Sequence, residues 1–260
     1  MAKYNISFIG AGNVAESLSA GLKAAGHSIL SVASAGGDSA RALAEALGAE
    51  WRPDLSVPGN CDILILAVTD TAVTEIASSA GINGDTLIVH TAGSVPLSAL
   101  GRKRNAGVLY PLQTFTKGFP PDLSKVPFFI EATDNRSLEM LREIGNGIGA
   151  GAWDCDSLQR RHLHVAAVFT NNFSNFMMTT GENIASAAGF DPALLHPLME
   201  ETVRKALRNG PASAQTGPAV RHDHGTIKSH IELLSFSPEY QKFYRLVTRM
   251  IAGHYKKKSI

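Results

Sequence analysis

The residues best able to do chemistry lie on one long predicted helix. The run from Gln159 to Ala188 is mainly apolar and has a helical period. At roughly 100° per residue, one stripe of this helix holds His164, Val168, Asn171, Asn172 and Asn175. His164 could act as a general acid or base near neutral pH, and the amides of Asn171 and Asn172 could orient a substrate. His164, Asn171 and Asn172 are therefore the predicted catalytic residues.

The polar stripe also predicts where a ligand would bind. Polar side chains on a mostly apolar helix need partners or water, because unpaired polar groups are costly to bury. A cleft between two domains would meet that need. A solvated face, or a contact with another subunit, is the alternative. On the opposite face, Phe169, Phe173 and Phe176 predict contact with a hydrophobic core.

A second polar segment runs from Gln215 to Gly225. Thr216 and Arg221 could bind an anionic substrate, the arginine through two parallel hydrogen bonds to a carboxylate. The run His222-Asp223-His224 could ligate zinc, but no second ligand cluster has suitable spacing, so we predict no metal site. The alternative for this run is the first turn of a helix with Asp223 as its cap.

The start of the chain contains a phosphate-binding pattern. A β-prone run, Ile6 to Ile9, leads into Gly10-Ala11-Gly12-Asn13-Val14-Ala15 and then into a helical run. The first glycine permits a tight turn, the second leaves room for a pyrophosphate, and the alanine lets the helix pack closely. The order predicts a dinucleotide site with Gly10, Gly12, Asn13 and Val14 as cofactor-binding residues. A glycine turn that binds nothing, or another nucleotide, is the alternative.

The end of the second predicted strand bears on the choice of nicotinamide cofactor. NAD-binding folds usually place an acid there, about 20 residues beyond the glycines, to bind the ribose 2′-hydroxyl. This chain has Ser34-Ala35-Gly36-Gly37 instead, so no carboxylate would repel a 2′-phosphate. Ser34 could donate a hydrogen bond to that phosphate, and Arg41 could supply charge, although Arg41 could equally be a solvated helix residue. The pattern favours NADP over NAD, and Asp38 could still serve a ribose.

Another predicted strand, Asp62 to Val68, is apolar almost throughout, as expected where both faces of a parallel sheet are covered. It leads to Thr69 and Asp70, at the sheet edge where ligands bind. Val68, Thr69 and Asp70 are therefore cofactor-binding candidates, although we favour Asp70 as the N-cap of the next helix. Tyr110, at the end of a later strand, is a candidate for substrate binding.

The order of the predicted elements indicates the fold class. Strands alternate with helices over roughly the first 150 residues, and helical patterns alone follow from Asp156. We predict an α/β Rossmann-like domain with a doubly wound parallel sheet over residues 1–153. An all-α domain over residues 154–260 follows it.

Composition excludes several classes of protein. The 24 basic and 23 acidic side chains give a formal net charge of +1, which does not suggest nucleic-acid binding. No apolar run reaches the roughly 20 residues of a membrane span. The strand that follows Met1-Ala2-Lys3 leaves no room for a signal peptide. Cys61 and Cys155 are far apart and should remain thiols, so we expect a cytoplasmic protein. We also expect its partner to be a small-molecule substrate.

Several segments together resemble one group of oxidoreductases. They are Gly10–Ala15, Ala67–Asp70, Tyr110–Phe115, His164–Phe173 and Thr216–Pro218. The group joins a Rossmann-like domain to a helical C-terminal domain of unknown function. It is similar to pyrroline-5-carboxylate reductase and the deazaflavin-dependent NADP oxidoreductases, within the 6-phosphogluconate dehydrogenase-like superfamily. The resemblance implies NADP binding, an active-site cleft between the domains, and a homodimer formed through the helical domain.

The chain also departs from these relatives. β-Hydroxyacid dehydrogenases carry Lys-x-x-x-Asn on the interdomain helix, and Val168 stands at the lysine position when Asn172 is matched to the asparagine. His164 lies one turn earlier and could substitute. The Ser-Pro-Gly-Gly-Thr-Thr loop of pyrroline-5-carboxylate reductases does not occur in the sequence. The substrates of these two enzyme families therefore cannot be assigned to this chain.

Three functional hypotheses follow. The first is an NADP-dependent oxidoreductase that moves hydride between the nicotinamide and a small carbonyl, imine or hydroxy compound, with His164 exchanging the proton. The second is an NADP-binding sensor or regulatory dimer without turnover, which the missing lysine supports. The third is a methyltransferase that uses S-adenosylmethionine.

Overall fold

The computed structural model describes residues 2–34, 37–82 and 84–255. The chain divides into two compact units, Met1–Asn175 and Phe176–Ile260. The first contains the sheet and the second is helical, so the predicted fold class is confirmed. The predicted domain boundary after residue 153 stays a prediction.

In the first unit, eight strands of the described residues form one sheet, in the order β3-β2-β1-β4-β5-β6-β7-β8. The strands are β1 Asn5–Ile9, β2 Ser28–Ala33, β3 Glu50–Arg52, β4 Ile63–Leu66, β5 Leu87–His90, β6 Ala106–Pro111, β7 Pro127–Ala132 and β8 Gly151–Asp154. The strand order reverses between β1 and β4. In open α/β sheets, the crevice outside the carboxyl ends of the strands at such a point is where ligands bind.

The sheet is parallel except where β6 meets β7. These two strands are antiparallel, and β8 then runs parallel to β7. A parallel return needs a long crossover, usually through a helix. The described segment between β6 and β7 contains only one short helical turn, Leu123–Lys125. The strand therefore returns in the opposite direction, which differs from the wholly parallel sheet that the sequence predicted.

Both faces of the sheet are covered by apolar side chains. In β4, Ile63 and Ile65 join one buried cluster, together with Phe8. Leu64 and Leu66 join a second cluster. Alternate residues of a strand point to opposite faces, so a strand covered on both sides must be apolar at every position.

Among the described residues, five α-helices complete the first unit up to the end of α5. They are α1 Asn13–Ala24, α2 Gly37–Leu47, α3 Val73–Ser79, α4 Asn135–Ile148 and α5 Ser157–Ala167. The start of α5 is fixed by a capping box, in which Asp156 and Gln159 each accept a hydrogen bond from the other's backbone N–H. This cap sets where the helix that carries His164 begins.

The long helix predicted from Gln159 to Ala188 is present, but it is not α-helical throughout. α5 passes into a π-helical segment, Val168–Phe173, and the chain continues as α6, Ser174–Ala187. A π-helical turn contains more than 3.6 residues, so later positions rotate away from where an α-helical wheel places them. The predicted stripe therefore includes residues up to the end of the π segment at Phe173, but not residues beyond it.

The described part of the second unit, up to Tyr255, contains four further α-helices. They are α7 His196–Asn209, α8 Pro211–Ala214, α9 His224–Leu233 and α10 Pro238–Tyr255. No helix in the described part of the chain is long and apolar enough to cross a membrane.

Candidate active site

A cleft of about 1150 Å³ opens at the carboxyl edge of the sheet. Residues that follow β1, β4 and β6 form one side, and α5 with the π segment forms another. The predicted site residues that line it are Gly10, Gly12, Asn13, Val14, Ser34, Val68, Thr69, Tyr110, His164, Asn171 and Asn172. All of these belong to the first unit. The glycine turn and the predicted catalytic residues therefore share one cleft.

The two glycines of the turn are needed for different reasons. Gly10 has φ of +108°, and an added Cβ would lie 2.2 Å from the carbonyl oxygen of Ala67, so the fold itself requires glycine there. Gly12 has φ of −80° and ψ of −177°, which any residue can adopt. An added Cβ at Gly12 would meet no atom within 4 Å. Packing therefore gives no reason for Gly12, whereas a diphosphate lying at the N-terminus of α1 does.

A loop after β6 closes the cleft beside the glycine turn. Leu112, Gln113, Thr114 and Phe115 all line it. The side-chain amide of Asn13 donates to the carbonyl oxygen of Phe115 at 3.0 Å, which ties the start of α1 to this loop. Sequence reasoning assigned Tyr110 to the site but not the loop that follows it. The signal for the loop was its position after a strand that ends at the sheet's carboxyl edge.

Tyr110 and His164 form a pair inside the cleft. The Tyr110 hydroxyl lies 3.3 Å from Nδ1 of His164, and the rings meet edge to face. Burial raises the pKa of Tyr110, so its hydroxyl keeps its proton at neutral pH. A protonated phenol bonded to an imidazole can pass a proton to a ligand in the same cleft.

Gly93, in the loop after β5, makes the contact between Tyr110 and His164 possible. A Cβ at this position would lie 2.7 Å from Nδ1 of His164 and 2.8 Å from Cε2 of Tyr110. Both distances are shorter than van der Waals contact, so a larger residue would force the pair apart. Gly93 was not recognised from the sequence, because its neighbours in space are distant in the chain.

A buried ion pair holds the loop that carries Gly93. Arg160, on α5, is fully buried and pairs with Glu131 of β7. Its guanidinium also donates to the carbonyl oxygen of Val95 at 2.6 Å, and Ser157 accepts from the backbone N–H of Leu97 at 3.0 Å. Arg160 lies one turn before His164, so the same contacts fix the loop and the helix that face each other across the pair.

The π segment brings both predicted amides into the cleft. Asn171 and Asn172 line it together with Thr170. Asn175, predicted in the same stripe, is not among its lining residues. This difference follows from the extra residue in the π-helical turn, which rotates the helix beyond it.

The predicted core contact of the opposite helix face is wrong for the single chain. Phe169, Phe173 and Phe176 are 61%, 46% and 53% exposed. The rings of Phe169 and Phe173 pack edge to face, with centroids 4.8 Å apart. Within the described residues this face is left largely uncovered, which periodicity alone could not reveal.

His90, the last residue of β5, should make folding sensitive to acid. It is fully buried, and burial together with the charge of Arg160 lowers its pKa from 6.5 to about 4. The imidazole therefore stays neutral in the folded protein, whereas it becomes protonated below its ordinary pKa when unfolded. Stability is thus fully present above about pH 6.5 and falls by about 3 kcal/mol as the pH drops to about 4.

Chemical denaturation of the wild type and His90→Asn across this pH range tests the prediction. The asparagine cannot titrate, so the wild type should lose more stability than the variant between about pH 6.5 and pH 4. A difference in unfolding free energy that does not change with pH would contradict it.

Asp70 does not cap a helix as predicted. Thr69 occupies the N-cap position of the short helical turn Asp70–Ala72, and no side chain caps it. The Asp70 carboxylate instead accepts a hydrogen bond from the hydroxyl of Ser94. The carboxylate therefore joins the loops after β4 and β5, and Asp70 is not among the residues that line the cleft.

The two residues predicted to select NADP have different surroundings. Ser34 lines the cleft at the end of β2. Arg41 does not line it: its Nε donates to Glu45 at 3.1 Å, and its guanidinium lies 5.9 Å from the centre of the Trp51 ring. An exposed pair one helical turn apart explains Arg41 without a ligand.

The predicted substrate residues of the second unit lie in and near a polar turn. Thr216 lines a separate cavity of about 320 Å³ within that unit. Arg221 lies in the turn before α9, and Asp223 caps α9 by accepting from the backbone N–H of Thr226 at 3.0 Å. The capping alternative is confirmed, and binding of substrate by Thr216 and Arg221 stays a prediction.

Family models match two parts of the chain. The model described as "NADP oxidoreductase coenzyme F420-dependent" matches residues 5–93. The domain of unknown function DUF2520 matches residues 126–251. No curated protein matches the chain.

A solved structure from Bacteroides fragilis, described as a "putative NADP oxidoreductase", is similar over nearly the whole length. It is 36% identical, with 96% of this chain and 98% of that chain covered and a TM-score of 0.88. The chain belongs to this NADP oxidoreductase family. The resemblance inferred from the sequence is therefore confirmed.

More distant structures share the fold alone. A pyrroline-5-carboxylate reductase from Coxiella burnetii is 20% identical, with 98% of both chains covered and a TM-score of 0.59. A reductive aminase from Aspergillus terreus, solved with NADPH and ethyl-5-oxohexanoate, is 14% identical. It covers 96% of this chain and 94% of its own, with a TM-score of 0.67.

Proposed function

We propose that this member of the NADP oxidoreductase family transfers hydride between NADP and a small carbonyl, imine or hydroxy compound. The observation that carries the proposal is the shared cleft, which contains both an open glycine turn and the Tyr110–His164 pair. The first suits a diphosphate, and the second suits a proton transfer. The reductive aminase solved with NADPH has the same fold, which supports a nicotinamide cofactor.

Several residues would hold the cofactor. The open position at Gly12 and the free N–H groups at the start of α1, near Asn13 and Val14, suit the diphosphate. Ser34, Val68 and Thr69 line the rest of that side of the cleft. When bound, the nicotinamide supplies or accepts the hydride.

The chain's own contribution is to hold and move a proton. The Tyr110 hydroxyl and Nδ1 of His164 share one hydrogen bond, in which the hydroxyl donates when Nδ1 carries no hydrogen and Nδ1 donates when it does. The pair can thus deliver a proton at the tyrosine oxygen and recover it through the imidazole. Asn171 and Asn172 would orient the substrate by hydrogen bonds.

Calorimetric titration with NADPH, NADH and S-adenosylmethionine tests the proposal first. We expect tight binding of NADPH, weaker binding of NADH and no binding of S-adenosylmethionine. NADPH oxidation with a panel of keto acids and cyclic imines then tests turnover. The oxidoreductase proposal fails if no nicotinamide cofactor binds.

A sensor without turnover is the second candidate. Val168 at the position of the superfamily lysine favours it. A sensor would bind NADPH tightly but would not oxidise it in the presence of any compound of the panel. Its oligomeric state or its binding to a partner would change when the cofactor binds.

We also propose a cytoplasmic homodimer. Apolar side chains that a single chain leaves exposed include Phe169, Phe173, Leu194, Leu198 and Leu207, and exposed apolar surface often marks subunit interfaces. The free thiols of Cys61 and Cys155 support a reducing compartment. Sedimentation of the purified chain as a 27.6 kDa monomer would contradict the dimer.

A further inference from the structure

We propose that the turn Arg52–Ser56 recognises the adenosine end of NADP, with Arg52 binding the 2′-phosphate. The inference rests on the proposed function, because it assigns the cofactor specificity of the same cleft. It replaces the role that the sequence predicted for Arg41. The observations concern the position of the turn, its conformation and its charge.

Strand register places Arg52 at the edge of the cleft. Arg52 is the last residue of β3 and is paired with Ala33, the last residue of β2. Ser34, the next residue after Ala33, lines the cleft, and so does Leu55, three residues after Arg52. The end of the second strand is where dinucleotide folds bind the adenosine ribose. Arg52 therefore lies beside the place where a 2′-phosphate would be.

Side-chain hydrogen bonds fix the conformation of the turn. Arg52 Nη1 donates to Ser56 Oγ at 3.0 Å, and that hydroxyl donates to Asp54 at 2.8 Å. Leu55 has φ of 58°, in the left-handed region that bulky residues rarely adopt. Such a conformation persists only where the surrounding structure imposes it, and it is frequent at ligand clamps. The turn thus holds Leu55 in the cleft, where it can pack against an adenine.

The guanidinium of Arg52 retains capacity for an anion. Its Nη2 pairs with Glu50 at 2.8 Å, and the Glu50 side chain is 59% exposed. Because the Glu50 carboxylate of this partly buried pair is exposed to solvent, a phosphate can replace this partner. A dianionic phosphate is a stronger acceptor than the groups that Arg52 now contacts.

Calorimetry with pairs of nucleotides that differ only in the 2′-phosphate measures the contribution of that group to binding affinity. The pairs are 2′,5′-ADP with 5′-AMP and NADPH with NADH, titrated into the full-length chain. Arg52→Met should weaken 2′,5′-ADP and NADPH about 10- to 100-fold and leave 5′-AMP and NADH within about twofold. Arg52→Lys should recover part of the loss. Glu50→Gln should tighten 2′,5′-ADP and NADPH only, because it removes a competing carboxylate.

Three further variants complete the design. Arg142→Met is the matched control, since Arg142 is also half-buried and paired, with Glu139 and Asp154 of the same unit; it should leave all four affinities unchanged. Arg41→Met tests the rival residue and should also have little effect. Leu55→Gly should weaken all four nucleotides alike, because the adenine is common to them.

The outcomes separate this inference from the proposed function. The inference is overturned if the wild type binds 2′,5′-ADP no more tightly than 5′-AMP, or if Arg41→Met rather than Arg52→Met removes the preference. If Arg52→Met leaves the preference intact while the wild type reduces a substrate, only the inference fails. If the preference depends on Arg52 but no compound is turned over, only the proposed function fails.

Discussion

A Gly12→Asp variant should fold as stably as the wild type and lose NADPH binding. An aspartate Cβ at this position would meet no protein atom, and the backbone conformation suits it. Gly12 is the N-cap residue of α1, where aspartate is among the preferred residues. The same carboxylate would occupy the position of the NADPH diphosphate and repel that group. We expect NADPH affinity to fall at least about 100-fold, which equals about 3 kcal/mol.

Two companion variants make this result specific. Gly12→Asn has nearly the same shape without the charge, so it separates steric exclusion from repulsion. Gly10→Ala should instead destabilise the fold by about 3 kcal/mol or more, because the added Cβ would strike the Ala67 carbonyl at a φ that only glycine tolerates. Thermal unfolding and calorimetric titration measure the two quantities. A Gly12→Asp protein that is folded and still binds NADPH normally would show that the diphosphate does not lie at this turn.

Local pattern was sufficient to predict most of the sheet. The β-prone run Ile6 to Ile9 lies within β1, Asn5–Ile9, and β4 is apolar at each position because both its faces are covered. Edge strand β3 escaped prediction. It consists only of Glu50, Trp51 and Arg52 and has no buried residue. A strand that covers no core carries no hydrophobic period.

The parts of the site that could not be predicted depend on contacts between distant segments. Gly93 is required by Tyr110 and His164, which follow it along the chain in other elements. An arginine on a helix is usually exposed to solvent, yet Arg160 is fully buried against Glu131. Arg52 gains its position from register with β2. Sequence periodicity describes the buried and exposed faces of one helix or strand at a time. It therefore cannot reveal side chains whose role depends on packing between elements.

Tyr110→Phe should abolish most turnover while leaving NADPH affinity unchanged. The phenylalanine retains the buried ring and removes only the hydroxyl that contacts His164. General acid catalysis contributes about 10²- to 10⁴-fold, so kcat should fall by that factor on whichever panel compound the wild type reduces. His164→Ala should have a similar effect. If the two residues act as one proton-transferring unit, the double variant should be little worse than either single variant.

Matched changes elsewhere in the first unit provide the controls for this pair. Tyr4→Phe removes a hydroxyl that donates to Glu143 at 2.7 Å, and His162→Ala removes an imidazole two residues before His164. Neither Tyr4 nor His162 lines the cleft, so both variants should keep full activity. Gly93→Ala should reproduce the loss of turnover with Tyr110 and His164 still present, because its Cβ would separate them. If Tyr110→Phe and His164→Ala are each as active as Tyr4→Phe and His162→Ala, the proton passes through other groups, and the pair serves only to pack the loop after β5 against α5.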